Sequence, residues 1–488
     1  MIDAGSEVEH IEFGIGNVVT VFGDVATVEF FGERIDVAIS ELQTRVGSAK
    51  PNLPPQKEQS VSDIEFRKTF EAVNLGVVPT DPTRLVKLTI GGQKLDAELS
   101  ALLSRAAVRG ACRTYLGYYG SGKSHHLRVV RSVALRDGWV TACLELDPKA
   151  ADPAKPSTVY QALIASLEFP AREDGSQSID FFDLVKEIRQ NWGIVSELPY
   201  VKRSPWFRHG LRALLYLSHR RDDPDYVAAV NWLAGQVKQI RAIRSLSWRA
   251  GYRQKIPSLP QVKDTGVVYA YNLVVLHHIL RELGYKGLAI VVDEAEHVRT
   301  YSVNRYVRAS NFLDVLARCA QPPKLHLADP HDDYGDLGLP SFWKEGPHFV
   351  LFVGLTEAES NDRPASSGNV SLSLLVQEGS DVVQLSPPPE AAYGRWCEDF
   401  LAACAEHLGP KVHVLTDTQV STQIAGILRA NFAQATGDDR LLRNWTKLAS
   451  LGPAVLLSHE RQFEPDELAE AISRAAVEVS GEVLPWDD

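Results

Sequence analysis

Residues 117–124 read G-Y-Y-G-S-G-K-S, which sets Gly117, Gly122, Lys123 and Ser124 at the spacing G-x-x-x-x-G-K-[ST], with Gly120 and Ser121 inside it. Each fixed position has a task in holding a polyphosphate. Glycines let the backbone curl with its N–H groups inward, forming a concave anion nest around the β-phosphate. Lys123 brings a point charge to the outer phosphates, the Ser124 hydroxyl is one ligand of Mg²⁺, and His125 continues the phosphate-contacting stretch. A second run, G-L-A-I-V-V-D-E-A-E at residues 287–296, is a buried apolar stretch ending in carboxylates. A strand of that kind sets Asp293 beside Mg²⁺ and Glu294 where it polarises the attacking water. At the end of a third apolar run, residues 349–357, Thr356 takes the place of a contact to the γ-phosphate or to that water. The chemistry expected is the hydrolysis of ATP to ADP and phosphate.

These groups need a scaffold that gathers strand ends. Residues 111–116 form a β-prone run ahead of the loop, and Leu127, Val130, Val133 and Ala134 repeat at helical spacing after it. The loop therefore joins a strand to a helix N-terminus, where unpaired N–H groups and the macrodipole favour an anion. A second strand over residues 139–147 and a helix over 157–168 follow. A simple βαβ continuation would then deliver a third strand, but residues 176 to about 265 read as a helical insertion, clearest at 179–192, 206–220 and 226–246. The third strand waits until residue 287, the fourth covers 349–357 and the fifth 382–385. Fold class is α/β: a P-loop parallel sheet of the additional-strand (ASCE, AAA+) type with a helical insertion, a helical lid and a small all-β barrel in front.

The barrel is expected over residues 1–46, where period-two alternation is broken by glycine turns every eight to ten residues. A linker rich in proline and polar residues spans 47–62, the ATPase core 63–389 with two helical patterns over 63–108, and the lid and tail 390–488.

Composition bounds the partners. The 51 basic and 62 acidic residues leave a net charge of −11, against a generic nucleic-acid coat. Inside the insertion the sign reverses: residues 236–255 carry Lys238, Arg241, Arg244, Arg249, Arg253 and Lys255 with no acid, interleaved with Trp248 and Tyr252. That stretch reads as a footprint for DNA phosphates, and equally as a solvated or protomer-facing helix. No run approaches 18 apolar residues and no signal segment opens the chain, so a cytoplasmic protein is expected, without membrane contact. The five cysteines have no zinc spacing, and Cys112 and Cys143 read as buried thiols. His125-His126 and His277-His278 face different sides of their helices, and Asp329, Asp332, Asp333 and Asp336 lack EF-hand spacing, so no metal is assigned to them. Arg299, Arg305 and Arg308 offer either an arginine finger across a subunit boundary or surface charges.

Two resemblances rest on these motifs. V-x-H-x-x-F-G-x-G-x-V and G-D-x-A-T-V-x-F in the first 40 or so residues resemble the Tudor-like barrel of UvrD/PcrA-type helicases, which implies an adaptor for protein or nucleic acid, with a passive stabilising domain as the alternative. The loop continuation S-H-H-L, the D-E-A-E tail, F-V-G-L-T and G-D-D-R at residues 437–440 resemble the P-loop ATP-binding proteins of BREX-type phage-defence systems, BrxD-like and related to origin-recognition AAA+ ATPases. The resemblance implies Arg440 as a second sensor, with Arg443 one turn on, a double-stranded DNA substrate, a helicase or other defence protein as partner and a homo-oligomer. The alternative is a nucleotide-gated switch that recruits partners with little turnover.

Overall fold

A computed structural model describes residues 7–10, 14–23, 25–30, 33–44, 61–75, 82–118, 120–171, 180–204, 206–217, 222–236, 266–321, 342–356, 381–386, 390–417, 442–458 and 465–481, with scattered positions between them. Contacts divide the chain into two compact units, Met1–Ser62 and Asp63–Asp488.

The first unit is an antiparallel sheet of β1 (Glu7–His10), β2 (Gly14–Phe22), β3 (Val25–Phe30), β4 (Glu33–Ala38) and β5 (Leu42–Thr44), ordered β4-β3-β2-β1-β5. Alternation decides its core: Ala26 and Val28, two apart on β3, join Val8, Val18 and Val37 inside. Gly23, at φ +62°, makes the tight turn from β2 to β3.

The second unit opens with α1 (Val61–Asn74), α2 (Pro82–Lys87) and α3 (Gly92–Arg109), three helices where the periodicity predicts two. Then come β6 (Ala111–Gly117), α4 (Lys123–Arg136), β7 (Val140–Glu145), α5 (Pro156–Ala165) and β8 (Leu167–Glu168). The helix expected over 157–168 stops at Ala165, because Leu167 and Glu168 turn back as an edge strand antiparallel to β7, with Glu168 paired to Arg131 at 2.5 Å. The insertion supplies α6 (Phe181–Gln190), α7 (Trp192–Val195), α8 (Pro199–Arg203), α9 (Phe207–Leu214) and α10 (Pro224–Leu233). The helix expected over 226–246 is broken: α10 ends at Leu233, and Gly235 turns at φ +97° against Tyr160. Two bonds from α5 hold that turn, Tyr160 Oη–H to Leu233 O at 2.9 Å and Gln161 Nε2–H to Gly235 O at 2.7 Å.

α11 (Gly266–Glu282), β9 (Leu288–Asp293), α12 (Val303–Ala320), β10 (Val350–Thr356), β11 (Asp381–Gln384), α13 (Glu390–His407), α14 (Leu442–Ser458) and α15 (Pro465–Gly481) complete the order. The sheet runs β11-β6-β10-β9-β7-β8, parallel except for the β7–β8 pair, so β10 separates β6 from β9. Its central strands are buried on both faces, as crossover helices require. Ala289 and Val291 face α4, while Leu288, Ile290 and Val292 face α5, α11 and α12. A separate core joins α1 to the C-terminal helices, where Trp396 and Phe400 stack at 5.2 Å. Cys319, Cys397 and Cys404 are buried; Cys112 and Cys143 are free and partly exposed as residues, while burial pushes both thiols up to about 12, in keeping with enclosed thiols. Among the described residues no helix is long and apolar enough to cross a membrane.

Candidate nucleotide site

Parallel register places the expected groups at one edge of the sheet. Thr356, the last residue of β10, pairs with Gly117, and Glu145 at the end of β7 pairs with Asp293. In an open α/β sheet the carboxyl ends of strands are where a ligand meets converging loops.

The phosphate loop leaves no room for side chains at its bend. A Cβ on Gly117 would lie 2.6 Å from Ser121 Oγ and 3.1 Å from Leu385 O, and Gly120 and Gly122 hold φ +75° and +95°. α4 then begins at Lys123 without a side-chain cap, so its first N–H groups stay directed at the loop. Lys123 Nζ–H donates to Gly117 O at 3.2 Å and Tyr118 O at 3.1 Å. The Ser121 hydroxyl is buried with no partner among the described residues. A glycine cradle, an uncapped helix start and an unpaired hydroxyl are features a polyphosphate satisfies.

His125 is placed differently from a phosphate ligand. Thr89 donates its hydroxyl to Leu85 O at 2.6 Å, so at 2.7 Å it accepts from His125 Nε2–H. Burial pushes His125 down to about 3, with the His126 and Arg128 charges adding, so the ring is neutral and fastens α4 to the turn after α2. His126 Nδ1–H donates to Gly122 O at 2.9 Å and steadies the same bend.

The carboxylate side is strained. Among the described residues Glu294 is the one non-glycine with positive φ, at 56° with ψ 36°; such a conformation costs on the order of 1 kcal/mol or more and persists where surroundings enforce it. Its N–H is held by Asp293 Oδ1 at 2.9 Å. Burial first, then the Glu296 and Asp293 charges and a hydrogen bond with Glu296, push Glu294 up to about 7, with Lys123 opposing. His297 Nε2 stands 3.9 Å from its Oε2.

Three contributors take roles that the motif reading did not give them, and Arg299 is held within the chain rather than left as a surface charge. Gly354 on β10 gives Asp293 its space, since a Cβ there would sit 2.5 Å from Asp293 Oδ1 and 3.0 Å from Leu127 Cδ1. Glu296 takes both donors of Thr356, the N–H at 3.2 Å and the hydroxyl in a short hydrogen bond. Arg299 Nη1–H donates to Thr356 O at 2.8 Å. The available signal was spacing: Glu296 and Arg299 lie on the 3-10 turn Ala295–Thr300 that directly follows Glu294. Thr356 therefore stands beside the loop with its hydroxyl turned to Glu296.

Arg305 is held within the chain, at 3.0 Å from both Pro148 O and Asp152 Oδ2 and 3.9 Å over the Tyr301 ring. Arg308 Nε–H reaches Asn304 O at 3.4 Å. In the basic segment Arg241, Arg244 and Arg253 are described, and Arg253 lies 4.5 Å over the ring of Trp248, which is 57% exposed. Lys238, Arg249, Lys255, the 329–336 aspartates and Arg440 with its G-D-D-R motif fall outside the described residues.

The family model described as BREX system ATP-binding protein BrxC/D matches residues 61–191 and 183–321. Together these spans take in more than half of the chain, including the phosphate loop, the insertion and the Asp293-Glu294 turn. No curated protein matches the chain.

Proposed function

The chain belongs to the BREX system ATP-binding protein BrxC/D family, and from that premise we propose that it is an AAA+-type, BrxD-like ATPase of phage defence that hydrolyses ATP and couples nucleotide state to DNA or partner engagement. The supporting observation is the strand order, with β10 between β6 and β9, which sets Thr356 in register with Gly117 and leaves Asp293 and Glu294 one strand away. That spacing suits a γ-phosphate held at the loop and attacked from the carboxylate side.

In this reading the loop N–H groups and Lys123 hold the phosphates, and Ser124 and Asp293 hold Mg²⁺, which when bound neutralises charge between the β and γ groups. Glu294 takes the proton of the attacking water, Thr356 is the first sensor and Arg440, on the helical lid of residues 390–488, the second. The basic segment of the insertion and the Tudor-like barrel engage double-stranded DNA or a helicase partner, in a cytoplasmic homo-oligomer. DNA then stimulates hydrolysis, and its binding weakens steeply with salt.

A nucleotide-gated switch that recruits partners with slow turnover is the second reading. Phosphate release and calorimetry separate the two. Hydrolysis predicts that Glu294→Gln binds ATP but turns over about 10²–10⁴-fold more slowly, and that Lys123→Ala loses ATP. Retained affinity in Lys123→Ala overturns the site; unchanged turnover in Glu294→Gln leaves only the switch.

A further inference from the structure

Thr356 is fastened from three directions. Glu296 Oε2 accepts its N–H at 3.2 Å, Glu296 Oε1 accepts its hydroxyl, and Arg299 donates to its carbonyl at 2.8 Å. All three bonds come from the 3-10 turn Ala295–Thr300, and all reach the residue that closes β10 beside Gly117. The two strands concerned, β9 and β10, are already neighbours through Leu288–Asp293 and Val350–Thr356. Packing does not require a carboxylate at position 296: Val298 and Ala295 supply the buried apolar contacts of that turn, while Glu296 and Arg299 remain partly accessible at the site's edge.

We propose that Glu296 is a positioning residue of the hydrolytic site, whose carboxylate seats the Thr356 hydroxyl and main-chain N–H and so ties the sensor to the turn that begins at Glu294. The inference rests on the reading of Glu294 as the base. A carboxylate is suited to this because its two oxygens accept both Thr356 donors at once and still offer lone pairs to a third group. Arg299 completes the clamp from the same turn, so a movement of Thr356 toward a phosphate draws the segment after Glu294 with it.

The test is a double-mutant cycle on the full-length protein, reading phosphate release, ATP affinity by calorimetry and thermal melting. A misplaced catalytic constellation loses on the order of 100-fold in rate. Glu296→Ala and Thr356→Val are each expected to lower kcat by about that factor while ATP affinity stays within about threefold. The double variant is expected to lose no more than the worse single variant, because both remove one clamp. Glu296→Gln, which keeps volume and one acceptor, is expected to restore part of the rate, and it carries the test if Glu296→Ala fails to fold. Multiplicative losses in the double variant, or full activity in Glu296→Ala or Glu296→Gln, overturn the proposal. Lys123→Ala and Glu294→Gln run alongside: if they behave as expected and the cycle does not, the clamp alone fails, whereas retained ATP affinity in Lys123→Ala or retained turnover in Glu294→Gln removes the underlying site reading.

Discussion

Two clusters of titratable groups in the second unit are treated in opposite ways. At the sheet edge Glu294 is held in a left-handed conformation with its carboxyl pushed up to about 7, and the Ser121 hydroxyl has no partner among the described residues. Where α8, α11 and the segment before β10 meet, the imidazoles are paired with one another and with the main chain. His348 Nε2–H donates to Phe342 O at 2.8 Å, so its Nδ1 accepts from His278 Nε2–H at 3.1 Å; His277 Nδ1 accepts from the Leu288 N–H at 3.1 Å. Tyr200 stacks on His278 at 4.1 Å. Backbone strain and a raised carboxyl mark the region built to meet a ligand, and paired neutral rings mark the one that joins the insertion to the core.

The comparison breaks most sharply at Gly354. A methyl there meets Asp293 Oδ1 at 2.5 Å and Leu127 Cδ1 at 3.0 Å, so Gly354→Ala has to displace the carboxylate proposed to hold Mg²⁺. A shift of that size predicts a fall in hydrolysis on the order of 100-fold, read by phosphate release at saturating ATP, with the fold retained by circular dichroism. Unchanged turnover would mean that Asp293 has freedom the register does not suggest.

Why Gly354 was not legible beforehand is physical. Gly117, Gly122, Lys123 and Ser124 are fixed by spacing along the chain, and so is the apolar run into Asp293, because each is a local requirement of one loop or one strand. Mixed α/β architecture, the strand-loop-helix and the five parallel strands follow from the same local patterns. Gly354 and Glu296 acquire meaning only from the pairing of β10 with its neighbours, which no periodicity encodes. Gly235 was present in the sequence, but the apolar spacing around it outweighed its turn preference, and Tyr160, 75 positions upstream, is what fixes the break.

The histidine side predicts a stability effect rather than a rate effect. His348→Ala strands the His278 Nε2–H and the Phe342 carbonyl, which costs about 1–3 kcal/mol, with ATP turnover per folded molecule unchanged. Denaturant midpoints and activity in the same preparation check this. Burial, with the His348 and Arg281 charges, pushes His278 down to about 3 from 6.5, so the folded ring stays neutral while the unfolded chain takes a proton. That contribution is complete above about 6.5 and is lost as pH falls toward 3, with a slope of at most about 1.4 kcal/mol per pH unit. His278→Gln, which keeps a donor but cannot charge, flattens the slope.

Glu294 tilts the other way, and the smallest expected effect comes from it. Its folded carboxyl binds a proton more tightly than the unfolded chain does, so between 4.5 and about 7 stability falls as pH rises, opposite in sign to the histidines. The same shift leaves the proposed base protonated at acid pH, so kcat/KM declines as pH drops through about 7, the limb that belongs to the free enzyme. Glu296→Gln removes one of the two neighbouring charges while burial and Asp293 remain. The limb is therefore expected to move to lower pH without reaching the ordinary carboxylate range, whatever the plateau rate becomes. A pH profile of kcat/KM from 5 to 9 for both proteins reads this, with the variant retaining a larger fraction of its own plateau at pH 6, by a factor of about two to five. A limb that stays in place would leave burial and Asp293 as the causes, and the contrast with the histidine cluster would then rest on backbone strain rather than on the Glu296 charge.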